Sequence, residues 1–206
     1  MIEVVAALND RFMRTIEEAG LTDWRRQLLT GLSGTVLEIG AGTGRNVALY
    51  PAGVERVLLC EPNRHMRARL ARVAANRVSA EVVDATGEHL PLPDESVDGV
   101  LSTLVLCSVA DPEQVLREIV RVLRPGGTFA FIEHVAAADR PERLAWQRRV
   151  EPVWRRVAGN CHLTRQTEAV IAASGLRIDD ITRAGMRRAP SLVRTTIRGL
   201  ARKPAA

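Results

Sequence analysis

The chain has 206 residues, 46% of them hydrophobic and 26% charged, with a formal net charge of +5. That suits one soluble globular domain with a sizeable core. No apolar stretch approaches the roughly 18 residues needed to cross a bilayer, and the acid Glu3 beside a short apolar patch over Val4–Leu8 makes a poor secretory signal, so a cytoplasmic protein is expected.

The positive charge is not a nucleic-acid footprint. Every basic residue except Lys203 is an arginine, and the arginines are spread along the chain among 24 acids. Aromatic residues, at 3%, are too few to build stacking platforms for single strands. No nucleic-acid partner is expected. The three cysteines, Cys60, Cys107 and Cys161, form no C-x-x-C pair and are odd in number. Neither a disulfide framework nor a metal site is expected from that spacing.

In chain order, Val5, Leu8, Phe12 and Ile16 fall at helical spacing, and a second short helix is expected over Trp24–Leu32, broken by Ser33-Gly34. Thr35–Ile39 reads as a buried strand. Val57–Cys60 is a second strand ending at Glu61, and Met66, Leu70 and Val73 mark a helix face behind it. Ala80–Val83 and Asp98–Thr103 are the third and fourth strands. Asp111-Pro112 opens a helix whose face carries Leu116, Ile119, Val120 and Leu123, and Pro125-Gly126-Gly127 stops it. Thr128–Ile132 is the fifth strand, ending at Glu133-His134. A basic helical stretch over Arg143–Val157 with Trp146 and Trp154, the loop "AGNCHLTR", a helix over Gln166–Ala173, and closing strands over Leu176–Ile181 and Leu192–Leu200 complete the chain.

This β-α-β alternation argues for an α/β fold, a doubly wound Rossmann-like sheet with helices on both faces. Right-handed crossovers bring the strand carboxyl ends to one edge. Ligands of such sheets bind along that edge. The expectation is a single domain over 1–206, with a helical cap or lid at 1–32, a cofactor-binding half at 33–135 and substrate-side elements at 136–206.

The turn after the first strand reads "EIGAGTGRN". The dinucleotide fingerprint G-x-G-x-x-G counted from Gly40 needs glycine at 45, where Arg45 stands. Gly40, Gly42 and Gly44 at alternate positions still describe a nucleotide loop. Glu61, 21 residues after Gly40, is placed to accept hydrogen bonds from two ribose hydroxyls. Glu38 repels a pyrophosphate and suits a positively charged cofactor.

"VLEIGAGTG", "LLCEPN" and "EIVRVLRPGGTFAFIEH" together resemble the class I S-adenosylmethionine-dependent methyltransferases over roughly Trp24 to Val135. The resemblance implies a seven-stranded sheet in the order 3-2-1-4-5-7-6 with the seventh strand antiparallel. It also implies S-adenosylmethionine as cofactor and S-adenosylhomocysteine as product. The matching positions for the cofactor are Glu38, Gly40, Ala41, Gly42, Thr43, Gly44, Asn46, Glu61, Pro62 and Met66. Thr103 and Leu104 are placed against the methionine end through their backbone. The adenine edge falls in "VVDATGEHLPLP", where register from Leu90 favours Thr86 and Gly87, with Asp84-Ala85 as the alternative.

A narrower similarity lies in "STLVLCSV", "FIEHVAA" and "WQRRVEPVWRRVAGNCHLTR". These stretches resemble the methyltransferase-like protein seven group, the thiol S-methyltransferases, and bacterial relatives. The implied enzyme methylates a small molecule, most readily a thiol. The alternative is a peripheral phospholipid N-methyltransferase acting on phosphatidylethanolamine, with weak membrane contact through the amphipathic N-terminus. A third reading is a non-catalytic cofactor-binding module. The candidates facing the methyl group are Cys107, His134 and His162, with no metal expected. A lid from the segments around Met13 and Trp146–Trp154 is expected to set specificity.

Overall fold

The structure, a computed structural model, describes residues 13–77 and 79–205. One sheet of seven strands runs in the order β3-β2-β1-β4-β5-β7-β6. The strands are β1 (Gly34–Ile39), β2 (Val54–Cys60), β3 (Ala80–Val83), β4 (Val97–Thr103), β5 (Leu123–His134), β6 (Arg177–Gly185) and β7 (Thr195–Arg202). Strands β1 to β5 pair in parallel, and β7 runs antiparallel to both β5 and β6. Order and reversal are those implied by the methyltransferase resemblance.

Strand side chains explain the layering. Successive residues point to opposite faces. On β5, Phe129 and Phe131 pack with Leu37, Ile39 and Val100 on one face, while Ala130 and Ile132 pack with Val36, Val57 and Leu101 on the other. Both faces are apolar, so both must be covered. Helices α1 (Thr22–Leu29) and α2 (Arg64–Ala74) cover one, with Leu28, Leu29 and Leu70. Helices α3 (Pro112–Val122) and α5 (Thr167–Ala173) cover the other, with Val115, Leu116, Ile119 and Ile171. A further helix, α4 (Pro141–Val157), follows β5.

Several boundaries differ from the periodicity. Helix α3 ends at Val122, because Leu123 is already extended (φ −68°, ψ 134°) and pairs with Val97. Leu123 is buried, but as a strand residue, and Pro125-Gly126-Gly127 lies inside β5 instead of stopping the helix. Met66 is 41% exposed, and Leu70 and Ala74 carry the buried face of α2. Leu192 falls in a tight turn, Ser191–Val193, ahead of β7. Most of the first expected helix, residues 5–12, lies outside the described residues; residues 13–16 are helical.

A wide turn, Glu17–Leu21, leads from there into α1, with Gly20 at φ 129°. Glu17 of this turn and Arg25 of α1 form a buried ion pair at 3.1 Å. The Arg25 guanidinium also donates to Asn46 Oδ1 (3.0 Å) and Thr103 Oγ1 (2.8 Å). This cap is therefore tied to the glycine loop and the end of β4 by largely buried polar groups. Removing one partner of a buried pair strands the other. Arg25→Ala is expected to lower stability by about 3–5 kcal/mol, read by urea denaturation; a loss below about 1 kcal/mol, the range of surface pairs, would contradict the bracing role.

Candidate active site at the strand edge

Beyond β1 the chain turns back sharply. Gly40, Gly42 and Gly44 have φ of 59°, 58° and 87°, the left-handed region that favours glycine. At Gly40 the space is closed too: a Cβ there would lie 2.6 Å from Val105 Cγ2. Glu61, buried at the end of β2, accepts from the Gly42 N–H at 2.8 Å and from the Asn63 N–H at 2.8 Å. Asn63 in turn caps α2 by accepting from the His65 and Met66 N–H groups. Arg67 donates to the carbonyls of Glu61 and Pro62, both at 2.9 Å, and pairs with Asp84 at 2.6 Å. The glycine loop and the acid expected from sequence thus meet, and the start of α2, with exposed Met66, stands beside them.

Glu38, expected to suit a positively charged cofactor, lies under the glycine loop. It is 1% exposed, and its oxygens accept from Asn46 Nδ2 (2.8 Å) and Tyr50 OH (2.7 Å). Burial pushes its pKa up, against these two hydrogen bonds and Arg25. Through these two bonds its carboxylate braces the loop from beneath. Asn46 and the Thr103 hydroxyl belong to the same buried network, donating and accepting among themselves and Arg25. The Leu104 N–H donates to the Ile132 carbonyl at 2.7 Å. The Ala41 N–H likewise donates to Cys60 O at 2.9 Å.

At the end of β3, Thr86 is exposed and Gly87 is buried, where a Cβ would lie 2.9 Å from Ile39 Cγ2. Asp84, its rival for the adenine edge, is engaged by Arg67. Thr86 is the freer of the two at the rim.

The turn after β4 carries Cys107. Glu133, at the end of β5, organises that turn: its carboxylate accepts from Ser102 Oγ (2.6 Å) and the Val105 N–H (3.1 Å). The "AGNCHLTR" loop is sewn onto the same turn. The His162 N–H donates to Cys107 O (2.8 Å), Asn160 Nδ2 to Ser108 O (2.9 Å), and Arg165 to the carbonyls of Leu106 (2.7 Å) and Val109 (2.8 Å). This stitching carries Cys161 to His134, with Sγ 3.7 Å from Nδ1. Cys107, His134 and Cys161 bring their sulfur and nitrogen atoms within 4.8 Å of one another. Cys107 and His134 are buried, and His134 Nε2 is buried with no hydrogen-bond partner. Its neighbour Cys161 and burial hold the Cys107 thiol well above the usual range, while Cys107 and His134 pull the Cys161 thiol down.

Two of the three expected catalytic residues therefore come together, and His162 does not join them. Its ring faces Glu151, Nδ1 to Oε1 3.9 Å. Cys161 stands with them instead. Nothing in the sequence spacing marks it, since 27 residues separate it from His134. Of the expected lid, Trp154 lies against Cys161, Met13 packs into the core, and Trp146 faces outward, 61% exposed.

Burial pushes the Glu133 carboxyl from the ordinary 4.5 up to about 7, against the hydrogen bonds from Ser102 and the turn. The folded chain then holds a proton that the unfolded chain has lost. Stability from this group is full below pH 4.5 and declines as pH rises to about 7. Urea midpoints measured across that window should fall more steeply for the wild type than for Glu133→Gln; equal slopes would contradict the raised value.

The chain matches the family model of a methyltransferase domain over residues 37–131. It is 46% identical over 145 residues to thiol S-methyltransferase TMT1B of Homo sapiens, an alignment covering 68% of this chain and 59% of that protein. It is 34% identical over 112 residues to phosphatidylethanolamine N-methyltransferase of Cereibacter sphaeroides, covering 52% of this chain and 54% of that one. Geranyl diphosphate methyltransferase, solved in complex with S-adenosylmethionine, shares the fold with a TM-score of 0.69 at 13% identity, covering 90% of this chain and 85% of its own. The chain spans less than two thirds of the length of the curated relatives it matches. With the strand order, the glycine loop and these matches in agreement, the chain belongs to the class I S-adenosylmethionine-dependent methyltransferases.

Proposed function

We propose that this chain transfers a methyl group from S-adenosylmethionine to the sulfur of a small thiol. The observation that carries the reading is the 46% identity to a thiol S-methyltransferase. The strand-edge geometry agrees with it. The cofactor supplies an electrophilic sulfonium methyl, so the protein's task is to bind, align and keep water out. The glycine loop offers a close backbone approach to the methionine end through Gly40 to Gly44. Glu61 is the acceptor for the ribose hydroxyls, exchanging the Gly42 and Asn63 N–H groups for them or sharing its lone pairs. Met66, Pro62, Thr86 and Gly87 flank the adenine side. Cys107 and His134, with Cys161, face the acceptor.

A thiol suits such a site. Its ordinary pKa near 8.5 leaves some thiolate at neutral pH, so a modest local bias suffices for attack. Of the described residues, 13–32 then act as the cap, those within 33–135 as the cofactor half and 136–205 as the substrate side of one domain.

A second reading rests on α4. Trp146, Val150, Val153 and Val157 recur at spacings of 4, 3 and 4 along one face. Trp146, Val153 and Val157 are each more than 60% exposed. Arg149 and Arg156 flank them. An apolar stripe beside arginines fits an anionic lipid surface, and the relative acting on phosphatidylethanolamine shares the fold. No helix among the described residues is long and apolar enough to cross a membrane.

Mass spectrometry of products from S-adenosylmethionine incubated with an alkyl thiol or with phosphatidylethanolamine vesicles separates the readings. An S-methyl thioether is the expected product; methyl groups on the lipid amine alone would replace the first reading with the second. Glu61→Ala is expected to weaken S-adenosylmethionine binding about tenfold or more, the cost of a lost charge-assisted hydrogen bond. Calorimetry showing unchanged affinity would remove Glu61 from the cofactor site.

A further inference from the structure

Cys107 follows β4, His134 ends β5 and Cys161 lies in the loop after α4, yet their ligand atoms converge within 4.8 Å. The convergence is built, not incidental. Glu133 fixes the turn holding Cys107, and the backbone bond from His162 to Cys107 O fixes the neighbour of Cys161. Both thiols are free, with no disulfide between them. Bond lengths in tetrahedral zinc sites, about 2.3 Å to sulfur and 2.0–2.1 Å to nitrogen, require an S···N separation of about 3.6 Å. The Cys161 Sγ to His134 Nδ1 distance is 3.7 Å. The carboxylate nearest in sequence, Glu133, is turned away to Ser102 and Val105. The donor set is therefore two sulfurs and one imidazole, a soft set that selects zinc over calcium or magnesium.

We propose that Cys107, His134 and Cys161 hold a zinc ion through three protein ligands, leaving the fourth position for the thiol substrate. The three-residue site stands on the geometry alone; its open position rests on the thiol reading above. Three protein ligands with one free position is the pattern of catalytic zinc, as four is of structural zinc. Two thiolates against one dication leave the buried site without net charge, which satisfies the cost of burying ions. A thiol entering the fourth position gives its proton to solvent and binds as thiolate. In the transfer its sulfur lone pair forms the new S–CH3 bond. The C–S bond to the sulfonium breaks, and its electron pair stays on the sulfur of S-adenosylhomocysteine. The neutral thioether product is a weak ligand and leaves.

Cobalt(II) is the probe. The full chain, stripped with a chelator and kept reduced with a phosphine, is titrated with Co²⁺. The expected result is equimolar binding with a near-ultraviolet sulfur-to-cobalt charge-transfer band and the strong visible bands of tetrahedral cobalt. Cys161→Ser and Cys107→Ser should each lose charge-transfer intensity while still binding S-adenosylmethionine by calorimetry, which shows that they fold. Adding an alkyl thiol to the wild type should increase that band. A wild-type chain that binds S-adenosylmethionine but shows no cobalt–thiolate band overturns the metal site, whether or not it methylates thiols. Bands unchanged in both serine variants overturn it as well. A cobalt site indifferent to added thiol, in a chain that methylates no thiol, overturns the open substrate position and the thiol reading together.

Discussion

A carboxylate sits where water does not reach, beneath the cofactor loop. Glu38 is one residue from the end of β1, and burying a charge or a polar group there is costly unless every oxygen finds a donor. Tyr50 and Asn46 supply those donors, Asn46 is held by Arg25 and Thr103, and Arg25 is held by Glu17. One chain of hydrogen bonds thus joins the N-terminal cap, the glycine loop and the end of β4. The left-handed glycines can turn tightly above it because the strand beneath them is fixed.

A second buried acid repeats the device one strand further along. Glu133 ends β5 as Glu38 nears the end of β1, and it gathers N–H groups of the turn after β4. One acid sets the cofactor loop and the other sets the turn that carries Cys107. In the proposed function, the sheet edge divides in this way into a nucleotide half over β1 to β3 and an acceptor half over β4 and β5.

Much of this was legible in the residues. The short apolar strand runs, the helix faces of Leu116 and Ile119, and the run of glycines with Glu61 behind them are local patterns, and local patterns survive reading one residue at a time. The strand order came from resemblance, and the structure has the same order. What was hidden depended on long-range packing. Glu38 carries the charge expected of a cofactor contact, but only its burial shows that it serves the loop. Leu123 fits a helical face by spacing, yet pairing with Val97 draws it into β5. Cys161 lies 54 residues from Cys107, so no spacing rule joins them; the hydrogen bonds of the Asn160–Arg165 loop do.

The central claim is that the glycine loop and Glu61 form a site for S-adenosylmethionine and not for a dinucleotide. Isothermal titration of the full chain with S-adenosylmethionine and, separately, with NAD tests it most directly. Saturable equimolar binding of S-adenosylmethionine with no heat from NAD is the expected result. Binding of NAD, or no binding of S-adenosylmethionine, would contradict it.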